Sequence, residues 1–322
     1  MVRKNVCPQC WLLSLVATLT VVLGVSPVPA ASPTKYCRFQ VAETIAYGIV
    51  EGETVRQLKG DLFGTWTKTE KTYPLSDVKL LVPTRPTQVL AMAGNYKSHL
   101  GGEAAITTVT TVTTIRTDLA TQATATSSQT TTETRNPGQL PEKFAIPQPF
   151  FKSPSCLIPH EAEIVLPKDS QSVQYEAEMV IVIGKKAQQV SKESALDYVL
   201  GVTCGVDVSE RIWQDNDVQW WRAKGSDTFG PCGPYIASGI DYGNLALQLR
   251  LNGEVKQQDH TSQLIHDVAT MVSTISRYVT LHPGDLIFTG TPGETTDLKP
   301  GDVVEVEIEG IGVLRNRVVA GR

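Results

Sequence analysis

The chain has 322 residues, of which 41% are hydrophobic and 19% charged, and its formal net charge is −4. This composition is that of an ordinary globular protein, with enough length for one large domain or two smaller ones. The net charge is negative and basic residues are not in excess, so nucleic acid and anionic membrane surfaces are not expected partners.

The N-terminus has the features of a signal peptide, for which we take residues 1–30. Arg3 and Lys4 precede a mostly apolar run, Trp11–Val25, and small residues then suit cleavage after Ala30 or Ala31. The run is shorter than the about 20 apolar residues that a membrane-spanning helix needs. We therefore expect export to the periplasm or the exterior, with no membrane attachment after cleavage. An uncleaved N-terminal anchor is the alternative.

The next part of the chain predicts a small N-terminal β module, residues 36–90, ahead of a larger domain over 91–322. Short runs rich in strand-forming residues alternate there with turn signals such as Glu51-Gly52-Glu53. The predicted strands are Arg38–Val41, Ile45–Val50, Val55–Leu58 and Val78–Val82.

A Thr-rich segment interrupts the domain over 91–322. Fourteen of the 28 residues from Thr107 to Thr134 are Thr, and this composition cannot bury a core of its own. We predict an inserted loop at 104–140. A two-stranded ribbon is the alternative, because Thr107–Ile115 is almost entirely β-branched.

Two carboxylates then stand beside a buried strand. Glu176 and Glu178 directly precede the apolar run Met179–Ile183, and alternate strand positions point to the same side. Two bare charges beside apolar residues need compensation, for which a hard divalent cation with oxygen ligands is the simplest candidate. Asp207, which ends a second apolar stretch, could complete the site. A solvated strand edge and a turn aspartate are the alternatives.

Later elements add strands, two helices and buried thiols. The helices are predicted over Ser191–Tyr198, with Ser191 as N-cap, and over about Leu264–Tyr278. The mature chain would keep four cysteines without a CxxC pair, so a zinc site is not expected and no disulfide is assigned. Cys204 and Cys232 lie in apolar or Gly/Pro-flanked contexts and are expected to be buried thiols.

Five blocks in order give the chain a resemblance to the fumarylacetoacetate hydrolase family. They are YEAEMVIVIGK, DVSERIWQ, AKGSDTFGPCGP, LHPGDLIFTGTP and GDVVEVEIEGIG, and the resemblance extends from about Tyr36 to Val319 except for the Thr-rich insert. It implies a mixed, β-rich α+β fold of the β-roll or β-sandwich type with a small N-terminal β module. It also implies a homodimer.

The resemblance implies one Mg²⁺ or Mn²⁺ ion held by Glu176, Glu178 and Asp207. The substrates it implies are small 2-oxo or 1,3-dicarbonyl acids, whose enolate the ion stabilises. His99 takes the position of the family's general base, assisted by a glutamate that usually follows three residues later. Here Glu103 follows four residues later, after two glycines.

Four further positions carry family roles over by the same resemblance. Lys224 would face the substrate carboxylate or developing charge, Arg211 and Gln214 would hydrogen-bond its acid and oxo groups, and Thr291 would contact it from a strand end.

The function implied is hydrolytic cleavage of a C–C bond in an acylpyruvate-like or diketo acid. Isomerisation or decarboxylation of an unsaturated 2-oxo diacid at the same metal site is the second hypothesis. The third is an exported metal-binding envelope protein without catalysis, and the displaced Glu103 supports this hypothesis.

Overall fold

A computed structural model describes residues 33–100, 106–117, 124–135 and 140–321. The predicted signal peptide and Glu103 lie outside the described residues. Among the residues described, no helix combines the length and apolar character that a membrane crossing requires.

The N-terminal region is a meander of antiparallel strands. β2 pairs with β1 and β3, and β3 pairs with β4, while β1 also receives the short β5. The first six strands are β1 (Thr34–Val41), β2 (Thr44–Glu51), β3 (Thr54–Gly60), β4 (Trp66–Pro74), β5 (Lys79–Leu80) and β6 (Val89–Met92).

The described residues of the Thr-rich insert, 106–117 and 124–135, form a two-stranded ribbon, where an inserted loop is predicted. β7 (Ile106–Thr117) and β8 (Thr124–Arg135) pair antiparallel over their full length and form a sheet of their own. The alternative weighed from its β-branched composition is therefore the observed conformation.

The described residues from 140 to 321 form thirteen further strands and three short α-helices. They are β9 (Pro149–Lys152), β10 (Leu157–Ile158), β11 (Glu163–Leu166), β12 (Val173–Gln174), β13 (Ala177–Ile183), β14 (Val199–Val206), β15 (Ser209–Glu210), α1 (Arg211–Asn216), α2 (Trp221–Gly225), β16 (Gly230–Ser238), β17 (Ala246–Leu251), β18 (Glu254–His260), α3 (Val268–Ser276), β19 (Leu286–Phe288), β20 (Val303–Ile308) and β21 (Gly312–Ala320).

Most strands join one mixed sheet of twelve. Its order is β4-β3-β2-β1-β16-β14-β13-β19-β6-β9, with β5 and β10 paired off this path. A five-stranded sheet, ordered β11-β21-β20-β17-β18, packs against it. The prediction of a β-rich mixed fold with few helices is confirmed, and the N-terminal strands belong to the same sheet as β13 and β14 through the β1–β16 pair.

Strand β13 runs through the centre of this architecture and is buried on both faces. Met179 and Ile181 pack into the core shared with the five-stranded sheet, while Val180 and Val182 pack into a second cluster with Phe288. Glu178 is in phase with Val180 and Val182, so the glutamate extends the face that this second cluster covers.

Several predicted boundaries differ from the observed ones. The helix predicted over Ser191–Tyr198 is only a single 3₁₀ turn, Ala195–Tyr198. The one predicted from Leu264 begins at Val268, because Asp267 caps it by accepting a hydrogen bond from the Thr270 N–H. Strand β4 was missed because its polar sequence carries no apolar alternation. The prediction of buried thiols is confirmed for Cys204 and Cys232.

Candidate active site

Three acidic side chains converge where strands β13 and β14 pair. Ala177 lies opposite Val206, and the Asp207 N–H donates to the Glu176 carbonyl at 2.9 Å, so these two residues face each other across the pair. Glu176, Glu178 and Asp207 are 4%, 1% and 1% exposed, and one carboxylate oxygen of each lies within 4.8 Å of the others. The structure thus places the three carboxylates next to one another, and we call them the acidic cradle.

Two cations from the short helices α1 and α2 contact the cradle. Lys224 on α2 places Nζ 2.7 Å from Glu176 Oε2 and 3.1 Å from Asp207 Oδ2. Arg211, the first residue of α1, donates from Nη2 to Glu176 Oε1 at 2.7 Å. Burial raises the pKa of Glu176, but Lys224 and Arg211 outweigh it and lower this pKa to about 2.

A third cation, Lys152, approaches Asp207 from inside the protein. Its Nζ lies 2.6 Å from Asp207 Oδ1, and it also donates to the carbonyls of Lys224 and Phe229. Burial lowers the pKa of this completely buried ammonium, but the Asp207 carboxylate more than compensates and the pKa lies above its usual value. The three cations equal the three carboxylates in number.

Glu178 is the carboxylate without a cationic partner. Its Oε2 accepts a hydrogen bond from the Gly290 N–H at 2.6 Å, while its buried Oε1 has no partner. Burial, and then the charges of Asp207 and Glu176, raise the pKa of Glu178 well above its usual value. An orphaned carboxylate oxygen beside two others is the donor set that a hard cation such as Mg²⁺ or Mn²⁺ prefers. The residues present therefore fit a divalent metal.

The loop after β19 forms one wall of the site. Gly290 has φ +98°, and a Cβ at this position would lie 2.9 Å from Cβ of Asn95. Asn95 is itself fixed, because its amide donates to the Thr289 carbonyl at 2.8 Å and its oxygen accepts from the His266 N–H at 2.8 Å. Only glycine suits this conformation and this space.

Thr291 lies in the same loop and lines the cleft. It is 3% exposed, and its hydroxyl accepts a hydrogen bond from Gln257 Nε2 at 3.0 Å. Gln257 also accepts from the Ala177 N–H at 3.0 Å, so one side chain connects the loop to the first residue of β13. Contact of Thr291 with a substrate stays a prediction.

His99 stands at the cleft with its tautomer set by the backbone. Its Nδ1 lies 2.7 Å from the Gly293 carbonyl oxygen, which can only accept, so Nδ1 carries the proton. Nε2 is then an acceptor, as a general base requires. The predicted partner Glu103 lies outside the described residues.

Arg211 and Gln214 occupy different places on α1. Gln214 lines the cleft and accepts a hydrogen bond from Arg211 Nη1 at 2.8 Å, whereas Arg211 lies behind it and also donates to Gln174 at 2.9 Å. The described contacts of Arg211 therefore hold Glu176 in place. Substrate binding by either residue stays a prediction.

The cleft bounded by these residues has a volume of about 270 Å³. His99, Glu176, Lys224 and Thr291 all line it. Phe150 and Trp220, packed edge to face with ring centroids 5.0 Å apart, form its apolar side. Its size and mixed lining suit a small organic acid.

Lys152 and Gln257 are the site residues that the sequence did not reveal. Lys152 follows two phenylalanines at the end of a strand, and a charge in an apolar strand is a signal that it needs a buried partner. Gln257 lies in a strand of mostly exposed polar residues, which gives no such signal.

Sequence comparisons divide the chain into two matched regions. Residues 114–319 match the family model described as fumarylacetoacetate (FAA) hydrolase C-terminal, and residues 34–83 match one described as Rv2993c-like, N-terminal.

Individual relatives extend the match over nearly the whole chain. Protein Rv2993c of Mycobacterium tuberculosis is 36% identical over 292 residues, which cover 88% of this chain and 97% of that protein. The mitochondrial oxaloacetate tautomerase FAHD2A of Bos taurus is 40% identical over 182 residues, 53% of this chain and 58% of that protein. The crystal structure of 2-hydroxyhepta-2,4-diene-1,7-dioate isomerase from Mycobacterium marinum is similar at 35% identity and a TM-score of 0.72, covering 89% of this chain and 98% of that one.

Proposed function

The chain belongs to the fumarylacetoacetate hydrolase family, and we propose that it is a divalent-metal-dependent enzyme that hydrolyses a C–C bond in an acylpyruvate-like or diketo acid. The observation that carries this proposal is the acidic cradle, in which a buried oxygen of Glu178 has no partner and faces two further carboxylates. Glu176, Glu178 and Asp207 would hold the ion. When bound, the ion would polarise the adjacent oxygens of a 2-oxo acid and favour its enolate.

Charge at the cleft supports an acidic substrate. Lys224 lines the cleft, and only 3% of this residue is exposed. Its Nζ lies 5.7 Å from the centre of the Phe150 ring. In this dry, partly aromatic setting its positive charge would attract a substrate carboxylate more strongly than a solvated lysine does. Gln214 offers a polar amide on the same side of the cleft.

His99 supplies the base. With Nδ1–H donated to the Gly293 carbonyl, Nε2 would take a proton from a water molecule as that water attacks the acyl carbonyl. The C–C bond to the pyruvate methylene carbon then breaks, giving a carboxylic acid and the enolate of pyruvate. The proton held by His99 can return to that carbon.

Isomerisation, tautomerisation or decarboxylation is the second candidate. It is favoured by the two relatives named as an oxaloacetate tautomerase and a dienedioate isomerase, both more than 30% identical. These reactions need a base and a stabilised enolate but no attack by water. His99 and the cradle meet that requirement without Glu103.

Turnover on a substrate panel tests the proposal. With Mg²⁺ or Mn²⁺, an acylpyruvate should yield pyruvate and a carboxylic acid, and His99→Ala should lower kcat by about 10²–10⁴-fold. Conversion of enol to keto oxaloacetate, or of an unsaturated 2-oxo diacid, without hydrolysis would favour the second candidate. Absence of any turnover with either metal would favour a metal-binding protein without catalysis.

A further inference from the structure

We propose that the N-terminal region carries a second binding site, for a small polyanionic molecule bearing phosphate or several carboxylate groups. The site is a groove of about 720 Å³, which we call the basic groove, lined by Arg38, Lys59, Lys71 and Arg85 together with Tyr47 and Leu58. The groove is distinct from the acidic cradle, and none of the residues that line it lines the cleft of His99.

The groove exists because two hairpins diverge. Strand β2 pairs with β3 only from Gly48 to Glu51, whereas β2 pairs with β1 as far as Thr44. Beyond the pair of Gly48 and Gln57, β3 continues with β4 alone, and its register shifts between Arg56 and Leu58. The separated ends of β2 and β3 leave a concave space between them, with backbone along its sides.

The lining of the groove carries four cations and no carboxylate. Among the described residues, Arg38, Lys59, Lys71 and Arg85 form no ion pair. Neighbouring cations are different, because Arg56 and Lys68 both pair with Glu51, at 2.8 and 2.9 Å. Glu51 therefore neutralises Arg56 and Lys68, whereas the four cations that line the groove remain available to a ligand.

Arg38 is the best-placed ligand for an anion. Arg38 is half-buried beside Tyr47, its partner across the β1–β2 pair. Burial and the charge of Arg85 together lower the pKa of Arg38 below its usual value, although Tyr47 opposes this shift. A nearby carboxylate, that of Asp61, accepts a hydrogen bond from the Phe63 N–H at 3.0 Å. Arg38 and Arg85 repel each other across the concave groove. An anion that binds both guanidinium groups, each through two hydrogen bonds, would offset this repulsion.

The dimensions and the lining select a small molecule. A volume of about 720 Å³ is that of a pocket for a metabolite rather than of an extended macromolecular surface. Tyr47 and Leu58 add an apolar side, so the ligand would combine two or more negative charges with a compact organic part. Phosphate and carboxylate groups share this charge chemistry, and the experiment separates them.

Calorimetric titration of the full chain with pyrophosphate, and separately with citrate, tests the proposal in metal-free, low-salt buffer. At least one of the two should bind saturably, and the double variant Arg38→Gln/Arg85→Gln should weaken it by about tenfold or more, because it removes two charged hydrogen-bond donors from the groove. The compound that binds identifies phosphate or carboxylate as the recognised group. The matched control is Lys185→Gln/Lys186→Gln, which removes the same charge from exposed positions on another part of the protein.

Three outcomes would overturn the proposal. The first is that neither compound binds saturably. The second is that the control variant loses as much affinity, which would indicate attraction to overall charge only. The third is that Arg38→Gln/Arg85→Gln binds unchanged, which would place the anion at Lys224 and Arg211 instead. If that variant does not fold, Lys59→Gln/Lys71→Gln at exposed positions gives the same reading. Neither pair touches the cleft, so enzymatic turnover should be unchanged in both.

Discussion

Glu178 differs from the other members of the acidic cradle in having no cationic partner. Glu176 and Asp207 each contact lysine or arginine, whereas Glu178 receives one backbone hydrogen bond and leaves Oε1 without a partner. In the metal-free protein its carboxyl therefore favours the protonated form at pH values where most carboxyls are charged.

Metal affinity should accordingly increase with pH. Below the raised pKa of Glu178 a proton occupies the carboxyl and must leave before the group can bind a cation, so the apparent affinity rises by up to about tenfold per pH unit until that pKa is passed. Mg²⁺ titration calorimetry in two buffers of different ionisation heat measures the proton released.

The source of the proton is separable by two variants. His99→Ala should still release it, because His99 is not one of the three residues that would hold the ion, and Glu178→Gln should release none. Metal binding by the wild-type protein without proton release would contradict the assignment.

Lys152 should matter chiefly for stability. In Lys152→Met the Asp207 carboxylate loses its internal partner in a buried setting, so the free energy of unfolding of the metal-free protein should fall by about 3–5 kcal/mol. Urea unfolding with EDTA present measures this. Lys185→Met, at an exposed position, should change it by less than about 0.5 kcal/mol. Equal stability of the two variants would show that the Lys152–Asp207 pair is not a stabilising contact.

At this scale the sequence identified the acidic residues but not what surrounds them. Glu176, Glu178 and Asp207 could be found because alternation on a strand and an apolar neighbourhood are local patterns. Lys152 and Gln257 reach the site through pairings between strands far apart in the chain, and local patterns do not contain that information.

At the scale of elements, the cradle depends on β13 and β14 and on the loop that follows β19. The antiparallel register places Glu178 opposite Gly205 and the loop supplies the Gly290 N–H. Both strands were predictable because they are continuous apolar runs buried on two faces. Strand β4 and the start of α3 were not, because polar residues on both faces hide a strand and the Asp267 cap shortens an apolar stripe.

Two glycines of the loop after β19 offer a matched comparison. Gly290 and Gly293 both have positive φ, +98° and +62°, so alanine strains the backbone at either. Only at Gly290 would the new Cβ meet a neighbour, Asn95 at 2.9 Å, whereas nothing lies within 4 Å at Gly293. Gly290→Ala should therefore shift the hydrogen bond to Glu178 and weaken Mn²⁺ binding, while Gly293→Ala should leave it nearly unchanged. Equal Mn²⁺ affinity of the two variants in titration would contradict this account of the loop.

At the scale of the whole molecule, one twelve-stranded sheet joins the region matched by the N-terminal family model to strands β13 and β14. The β-rich fold class could be predicted from strand runs and turn signals. The joining of the two regions could not, because the β1–β16 pair connects residues about 200 positions apart and leaves no periodic trace. A homodimer stays a proposal from family resemblance.

Export also stays a proposal at this scale. N-terminal sequencing of the protein from its native host should begin near Ala31 or Ser32, because the small residues there suit signal peptidase. A soluble chain that retains Met1 would contradict it.

We propose that Glu176, Glu178 and Asp207 hold a divalent cation and that this cation acts on a 2-oxo acid substrate. Titration of metal-free protein with Mn²⁺, followed by electron paramagnetic resonance, tests it most directly. The wild type should bind a single ion per chain, oxalate as an enolate mimic should tighten the binding, and His99→Ala should retain it. Glu178→Gln and Asp207→Asn should each weaken binding by more than about 100-fold, since even groups behind the ligands contribute about 10–100-fold. Mn²⁺ binding of equal affinity in these two variants and the wild type would contradict the account.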